Sequence, residues 1–325
     1  IVMRVRAPEA DFWRGQTFAT FDGRTWQVLD DVGYTAEGPD ISIEPAFGDH
    51  DLSRLVPTEE FVQTFYVEVD QPNLLFAAYR PDRVVFDGDV SIRSDGALRT
   101  DLVLTAGSIY TVVSQRPIVD ATSLARQGHI AERLTQAGRD AFVMYLEVPD
   151  TTTARTVQLA DQLAAEATNS YEVVRNMEAW IDANVRYDLD APVPPEGVDA
   201  VDDLLFGSQL GFCEQIASAL AVMLRTQGVP TRLATGYVPG ERDRVTGVFE
   251  VRASDAHAWV EVWFPETGWQ AFDPTADVPL AGESTRNSVG GDLVRSVSDT
   301  VGRLFRDHGR AVAIVALLGL LVGVL

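Results

Sequence analysis

Over residues 5–118 the apolar positions read as strands. Phe61–Val69 alternates as FVQTFYVEV, Val84–Phe86 and Val90–Ile92 flank Asp87-Gly88, and Tyr110–Ser114 closes the series. Period-two alternation puts one set of side chains on a buried face. Trp13–Gln27 holds two aromatic-rich arms around the turn signal Asp22-Gly23, and its Trp13, Phe18, Phe21 and Trp26 read as core. Asp31–Asp51, rich in Gly, Asp and Glu, reads as an exposed loop. These features predict a β-rich sandwich or barrel domain over 1–118.

The period then changes. A helical connector is expected over 119–150, and 151–280 carries helical patterns at Thr153–Thr168 and Ser170–Asn184. Tyr187 and a Pro-rich loop, Ala191–Gly197, follow. The next helix starts at Cys213, with Ile216, Leu220, Met223 and Leu224 on one face, and Gly228-Val229-Pro230 stops it. In Ala258–Trp263 the residues Ala258, Val260 and Val262 face one way, while His257, Trp259, Glu261 and Trp263 face the other. After a turn at Pro265–Gly268, Trp269, Ala271 and Asp273 share one face of a further strand. A juxtamembrane linker and helix are expected over 281–310, and the apolar run 311–325 reads as the start of a truncated transmembrane helix.

Composition narrows the function. Forty-eight acidic against 26 basic residues leave a formal charge of −22, and every basic residue apart from histidine is an arginine. Nucleic-acid binding needs clustered cations, so it is not expected. One cysteine excludes an internal disulfide. The four histidines show no zinc spacing, and no phosphate loop, dinucleotide fingerprint or EF-hand pattern is present. Neither a metal nor an organic cofactor is expected.

The chemistry-bearing set is Cys213, His257 and Asp273. A helix N-terminus and an adjacent imidazole both stabilise a thiolate, and a carboxylate on the far ring nitrogen fixes the imidazole's tautomer. Antiparallel neighbours can bring His257 beside Asp273. The backbone N–H of Cys213 has no helical partner and is a candidate oxyanion donor. Each residue alone has an ordinary reading: a buried apolar thiol, a half-buried strand histidine, a strand-ending Asp-Pro. Trp259, Trp263 and Trp269 read equally as walls of the thiol site or as core.

GFCEQIASALAVMLRTQGVPTRLATGY and DAHAWVEVWFPETGWQAFDPT resemble the cysteine and the histidine–aspartate segments of the transglutaminase-like superfamily. FWRGQTFATFDGRTWQV and YLEVPDTTTARTVQLADQLAAEA are similar to its TgpA-type membrane-anchored branch. The resemblance implies an α+β, papain-like transglutaminase core, in which a cysteine-bearing helix packs on an antiparallel sheet. It implies Cys213 as nucleophile, His257 as acid/base and Asp273 as its orienting partner. An aromatic upstream of the cysteine helps the oxyanion hole in some relatives, which makes Tyr187 a candidate here beside ordinary packing. The implied activity is that of a transglutaminase-like cysteine acyltransferase or a cysteine protease or amidase. It acts on a protein or peptide substrate of the cell envelope, through a thioester resolved by an amine or by water. The implied location is the cell membrane, with 1–310 extracytoplasmic. The alternative is a non-catalytic cell-envelope binding or scaffolding module on the same fold, which would lack thiol reactivity.

Overall fold

A computed structural model describes residues 1–28, 33–46 and 56–275. The expected juxtamembrane helix and apolar run, 281–325, lie outside these residues. No helix among the described residues is long and apolar enough to cross a membrane.

The cysteine helix, Cys213–Thr226, is central, with Ile216 through Arg225 all buried. It packs on the strand bearing His257 and on the helices Ala154–Ala164 and Ser170–Asn184. Thr153 and Asn169 cap those two helices, each side chain accepting the N–H three residues on. The sheet beneath the cysteine helix is antiparallel, in the order Gly268–Phe272, Ala256–Phe264, Thr231–Tyr237, Trp13–Phe18. This is the α+β core that the sequence predicts. Arg225 ties down the far end of the helix, donating to the carbonyls of Ala19, Thr231 and Glu147 at 2.6, 2.8 and 2.9 Å.

The first region is a sandwich. A seven-stranded sheet runs in the order Glu241–Arg242, Phe249–Val251, Met3–Arg6, Thr58–Val67, Ile109–Pro117, Pro81–Val85, Asp40–Ser42. A four-stranded sheet runs in the order Tyr34–Ala36, Val90–Ile92, Leu98–Thr100, Leu74–Leu75. Phe61, Phe65, Val84 and Tyr110 of the first sheet share one core with Leu75, Val90, Ile92 and Leu98 of the second. One difference from the sequence reading stands out. Asp31–Asp51, expected as a loop, contains the strands Tyr34–Ala36 and Asp40–Ser42; three residues at a sheet edge are too short to show a period. The strands flanking Asp87-Gly88 enter different sheets.

The two regions exchange strands. Trp13–Phe18 forms the edge of the sheet that carries His257, while Phe249–Val251 and Glu241–Arg242 extend the sheet of the first region. Gly236 permits the exchange. It lies opposite Arg14 at a register shift, where a Cβ would meet the carbonyl oxygen of Trp13 at 2.0 Å. A buried ionic cluster seals the same seam. Glu261 Oε2 accepts from Arg232 Nε at 2.6 Å and from Arg14 Nη1 at 3.3 Å. Arg232 Nη1 and Arg14 Nη2 also reach the carbonyls of Asp95 and Gly96, both at 3.4 Å. Burial alone would raise the Glu261 carboxyl, but the two guanidinium groups hold it below the usual carboxylate range.

Replacing one partner of such a cluster leaves a charge under-compensated in the interior. Arg232→Met is therefore expected to lower unfolding stability by about 3 kcal/mol, read as a shift in the urea midpoint with unchanged m-value. A midpoint within experimental error of wild type contradicts this account of the seam.

Candidate active site

Leu210–Gly211 pairs in parallel with Arg186–Tyr187 and delivers the chain to the cysteine helix. A Cβ at Gly211 would meet Leu204 Cδ1 at 2.6 Å, so a larger residue there would need the Leu204 side chain to shift. The helix N-cap is Phe212, which has no polar side chain to accept from the first-turn N–H groups. Gln215 turns back to accept the Phe212 N–H at 3.2 Å. Cys213 is partly exposed at the positive end of the helix dipole.

His257 comes from the strand Ala256–Phe264. Continued past Val260↔Phe272, the pairing register puts Asp273 opposite Trp259 and diagonal to His257 on the same face. His257 Nε2 hydrogen-bonds Asp273 Oδ2, and its side chain is 10% exposed against 3% for the aspartate. The other ring nitrogen, Nδ1, is thus left for Cys213, with which His257 also hydrogen-bonds. Thr275, unremarked in the sequence, holds the aspartate from behind. Its N–H and Oγ1 donate to Asp273 Oδ1 at 2.8 and 2.7 Å, and Oγ1 lies 3.3 Å from His257 Nε2.

The electrostatics follow from these contacts. Burial alone would raise the Cys213 thiol, but the hydrogen bond and charge of His257, with the N–H groups of Ala258 and Glu214, bring it below its ordinary value. Burial alone would lower His257, yet its bonds to Asp273 and Cys213 push it up to about 9. Near neutral pH the arrangement favours a thiolate–imidazolium pair.

Tyr187 is also brought to the cysteine. It is 46% exposed and hydrogen-bonds both the sulfur and the backbone N–H of Cys213; burial and the sulfur raise its phenol pKa. Glu178 is a residue that sequence reasoning missed. It sits 4% exposed on the helix Ser170–Asn184, paired with Arg175 at 2.5 Å. Burial, opposed by Arg175 and reinforced by the charge of Asp273, pushes it up to about 7. Its position on an apolar helix face was the available signal. Trp259 and Trp269 are buried, the first stacking on Phe12 at 4.4 Å and the second lying against Tyr145 at 4.9 Å, while the half-buried Trp263 lies against Phe142 at 4.5 Å. Among the described residues no cluster of His, Cys, Asp or Glu could hold a metal ion.

Known proteins resemble this chain in sequence and in fold. Residues 157–274 match the transglutaminase-like superfamily core, and residues 1–121 match the TgpA N-terminal domain. The protein-glutamine gamma-glutamyltransferase of Pseudomonas aeruginosa is 30% identical over 270 residues, covering 82% of this chain and 36% of that protein. The uncharacterized protein YebA of Bacillus subtilis is 29% identical over 285 residues, 82% of this chain and 37% of its own length. The chain thus spans little more than a third of these two relatives. The crystal structure of the periplasmic domain of TgpA from Pseudomonas aeruginosa superposes with a TM-score of 0.61 at 26% identity, covering 85% of this chain and 87% of that one. Pairing a TgpA N-terminal domain with the transglutaminase core, the chain belongs to the transglutaminase-like superfamily.

Proposed function

We propose that this protein is an extracytoplasmic thiol acyltransferase, with Cys213 as nucleophile, His257 as acid/base and Asp273 as the residue that orients His257. The observation that carries this reading is His257 bridging Cys213 and Asp273 at the N-terminus of a buried helix. The location is supported by the likeness to a periplasmic domain.

The thiolate attacks a carboxamide carbonyl of a protein or peptide, forming an S–C bond and a tetrahedral oxyanion. His257 gives its proton to the departing nitrogen, the C–N bond breaks, and a thioester remains. A primary amine or water then attacks the thioester and passes a proton to His257. The thiolate leaves, and the product is a cross-link or a carboxylic acid. The relative's activity on protein glutamine supports a glutamine side chain as donor. The backbone N–H of Cys213 and the phenol of Tyr187, hydrogen-bonded to each other beside the sulfur, support an oxyanion-stabilising role for this pair.

Three outcomes test this reading. Iodoacetamide should alkylate wild-type Cys213 at a rate that holds well below pH 8. In His257→Ala the rate should collapse near neutrality and recover only as pH approaches the ordinary thiol value of about 8.5. A thiol indifferent to His257 sinks the triad. Tyr187→Phe should cut acyl transfer by about 100-fold, measured as fluorescent-amine incorporation into a glutamine-bearing protein. Its alkylation rate should change only severalfold, because alkylation develops no oxyanion; equal losses in both assays would remove Tyr187 from that role. Glu178 has a folded pKa raised above the unfolded value of about 4.3. Its stabilising contribution is therefore complete below that value and lost as pH rises through about 7. The melting temperature of Glu178→Gln relative to wild type should accordingly rise between pH 5 and pH 8, and a pH-independent difference would contradict the assignment.

A further inference from the structure

A cleft of about 250 Å³ opens beside the first turn of the cysteine helix. Its apolar surface includes Phe21 from the first region and Val193, Val201 and Phe212 from the stretch leading into the cysteine helix. Small-molecule sites usually enclose about 300–1,000 Å³, so this space suits one long side chain rather than a whole ligand. The segment 188–199 forms one wall. It is pinned to the first region by Arg24, whose Nη2 donates to the carbonyls of Pro195 and Val198 at 2.7 and 3.1 Å.

The polar groups of the cleft differ in how far they are committed. Ser218 Oγ accepts from Trp26 Nε1 at 2.8 Å and donates to the Glu214 carbonyl at 2.6 Å. Gln215 Oε1 caps Phe212, and Arg24 holds the wall. The exposed Glu214 carboxylate, by contrast, has no hydrogen-bond or ion-pair partner among the described residues. Exposed Asp190 and Glu196 add negative charge along the wall, which carries no basic residue of its own. An apolar throat with an uncommitted carboxylate complements a side chain with an aliphatic stem and a cationic head.

The cleft is displaced from the reacting sulfur. At about 100° per residue, Glu214, Gln215 and Ser218 point between about 100° and 200° round the helix axis from Cys213. The flank they form is on the order of 10 Å from the thiol, the diameter of a helix. The chain itself links the two places, because Tyr187 touches Cys213 and Ala191 lines the cleft. An extended substrate advancing about 3.3 Å per residue covers that span in roughly three residues.

We propose that this cleft is a subsite for a basic side chain, arginine or lysine, of a polypeptide substrate, about three residues from the one whose carbonyl meets Cys213. The subsite rests on the acyl-transfer reading for its purpose and is tested separately from it. Fluorescein-labelled alanine-based nonapeptides with a central glutamine carry arginine, alanine or glutamate three positions to one side or the other. Their binding to the Cys213→Ala protein is measured by fluorescence anisotropy; arginine is used because it is not an amine acceptor. Arginine on one of the two sides is expected to tighten binding at least tenfold over alanine, with glutamate weakest. Glu214→Gln should reduce that advantage to under threefold, and so should Ala191→Trp, which fills the cleft from the opposite wall. Equal binding of the arginine and alanine peptides, or an arginine advantage that survives both substitutions, overturns the proposal. Because this is equilibrium binding, an inert Cys213 in the alkylation assay would refute the catalytic reading without producing either result.

Discussion

The Glu261 carboxylate is the constraint on which much else depends. It lies on the same strand as His257, faces the first region, and is 3% exposed. A charge so placed is tolerable only if cations meet it, and one of the two that do, Arg14, belongs to the first region. Satisfying it fixes Trp13–Phe18 at the edge of the sheet and sets the lateral position of the histidine strand. Arg232 does the same from the neighbouring strand while lying 4.1 Å over the ring of Trp269. The imidazole is thereby positioned from behind by electrostatics and from the side by packing.

The His257 end of that strand works in the opposite sense. The cluster at Glu261 is buried and ionic, whereas at Cys213 the N-cap lacks a polar side chain and the Glu214 N–H hydrogen-bonds the sulfur. One strand thus joins a closed ionic interior to a partly exposed thiol. Tyr187 and Glu214 stand at that surface, on either flank of the first turn of the cysteine helix.

Much of the core was legible because its signals are local. The cysteine helix declares itself by apolar spacing and a Gly-Val-Pro stop, and the histidine and aspartate strands by alternation around a turn. Identical parity along paired strands allowed His257 to lie near Asp273, and the resemblance to the transglutaminase-like segments singled the pair out. What was not legible is non-local. Arg14 and Glu261 lie 247 residues apart, and no periodicity announces their meeting. Glu178 was hidden for a related reason: a glutamate amid apolar helical positions reads as an ordinary interruption until its surroundings are known. Thr275 follows Pro274 and looks like turn filler, although its two donors hold the outer oxygen of Asp273. The strands Tyr34–Ala36 and Asp40–Ser42 were missed because three residues pair at an edge with little buried surface.

The strand exchange also bears on how such a protein can be taken apart. A chain cut between the β-rich region and the helices would leave Thr231–Tyr237 with one row of backbone donors and acceptors bare, and Met3–Arg6 with another. Each half would then present a sticky ladder flanked by buried aromatic side chains, a template for pairing with the wrong chain. The half bearing Cys213 and His257 is therefore poorly suited to shuffling as a free-standing module. Inheritance, expression and grafting into another scaffold all favour moving both halves together.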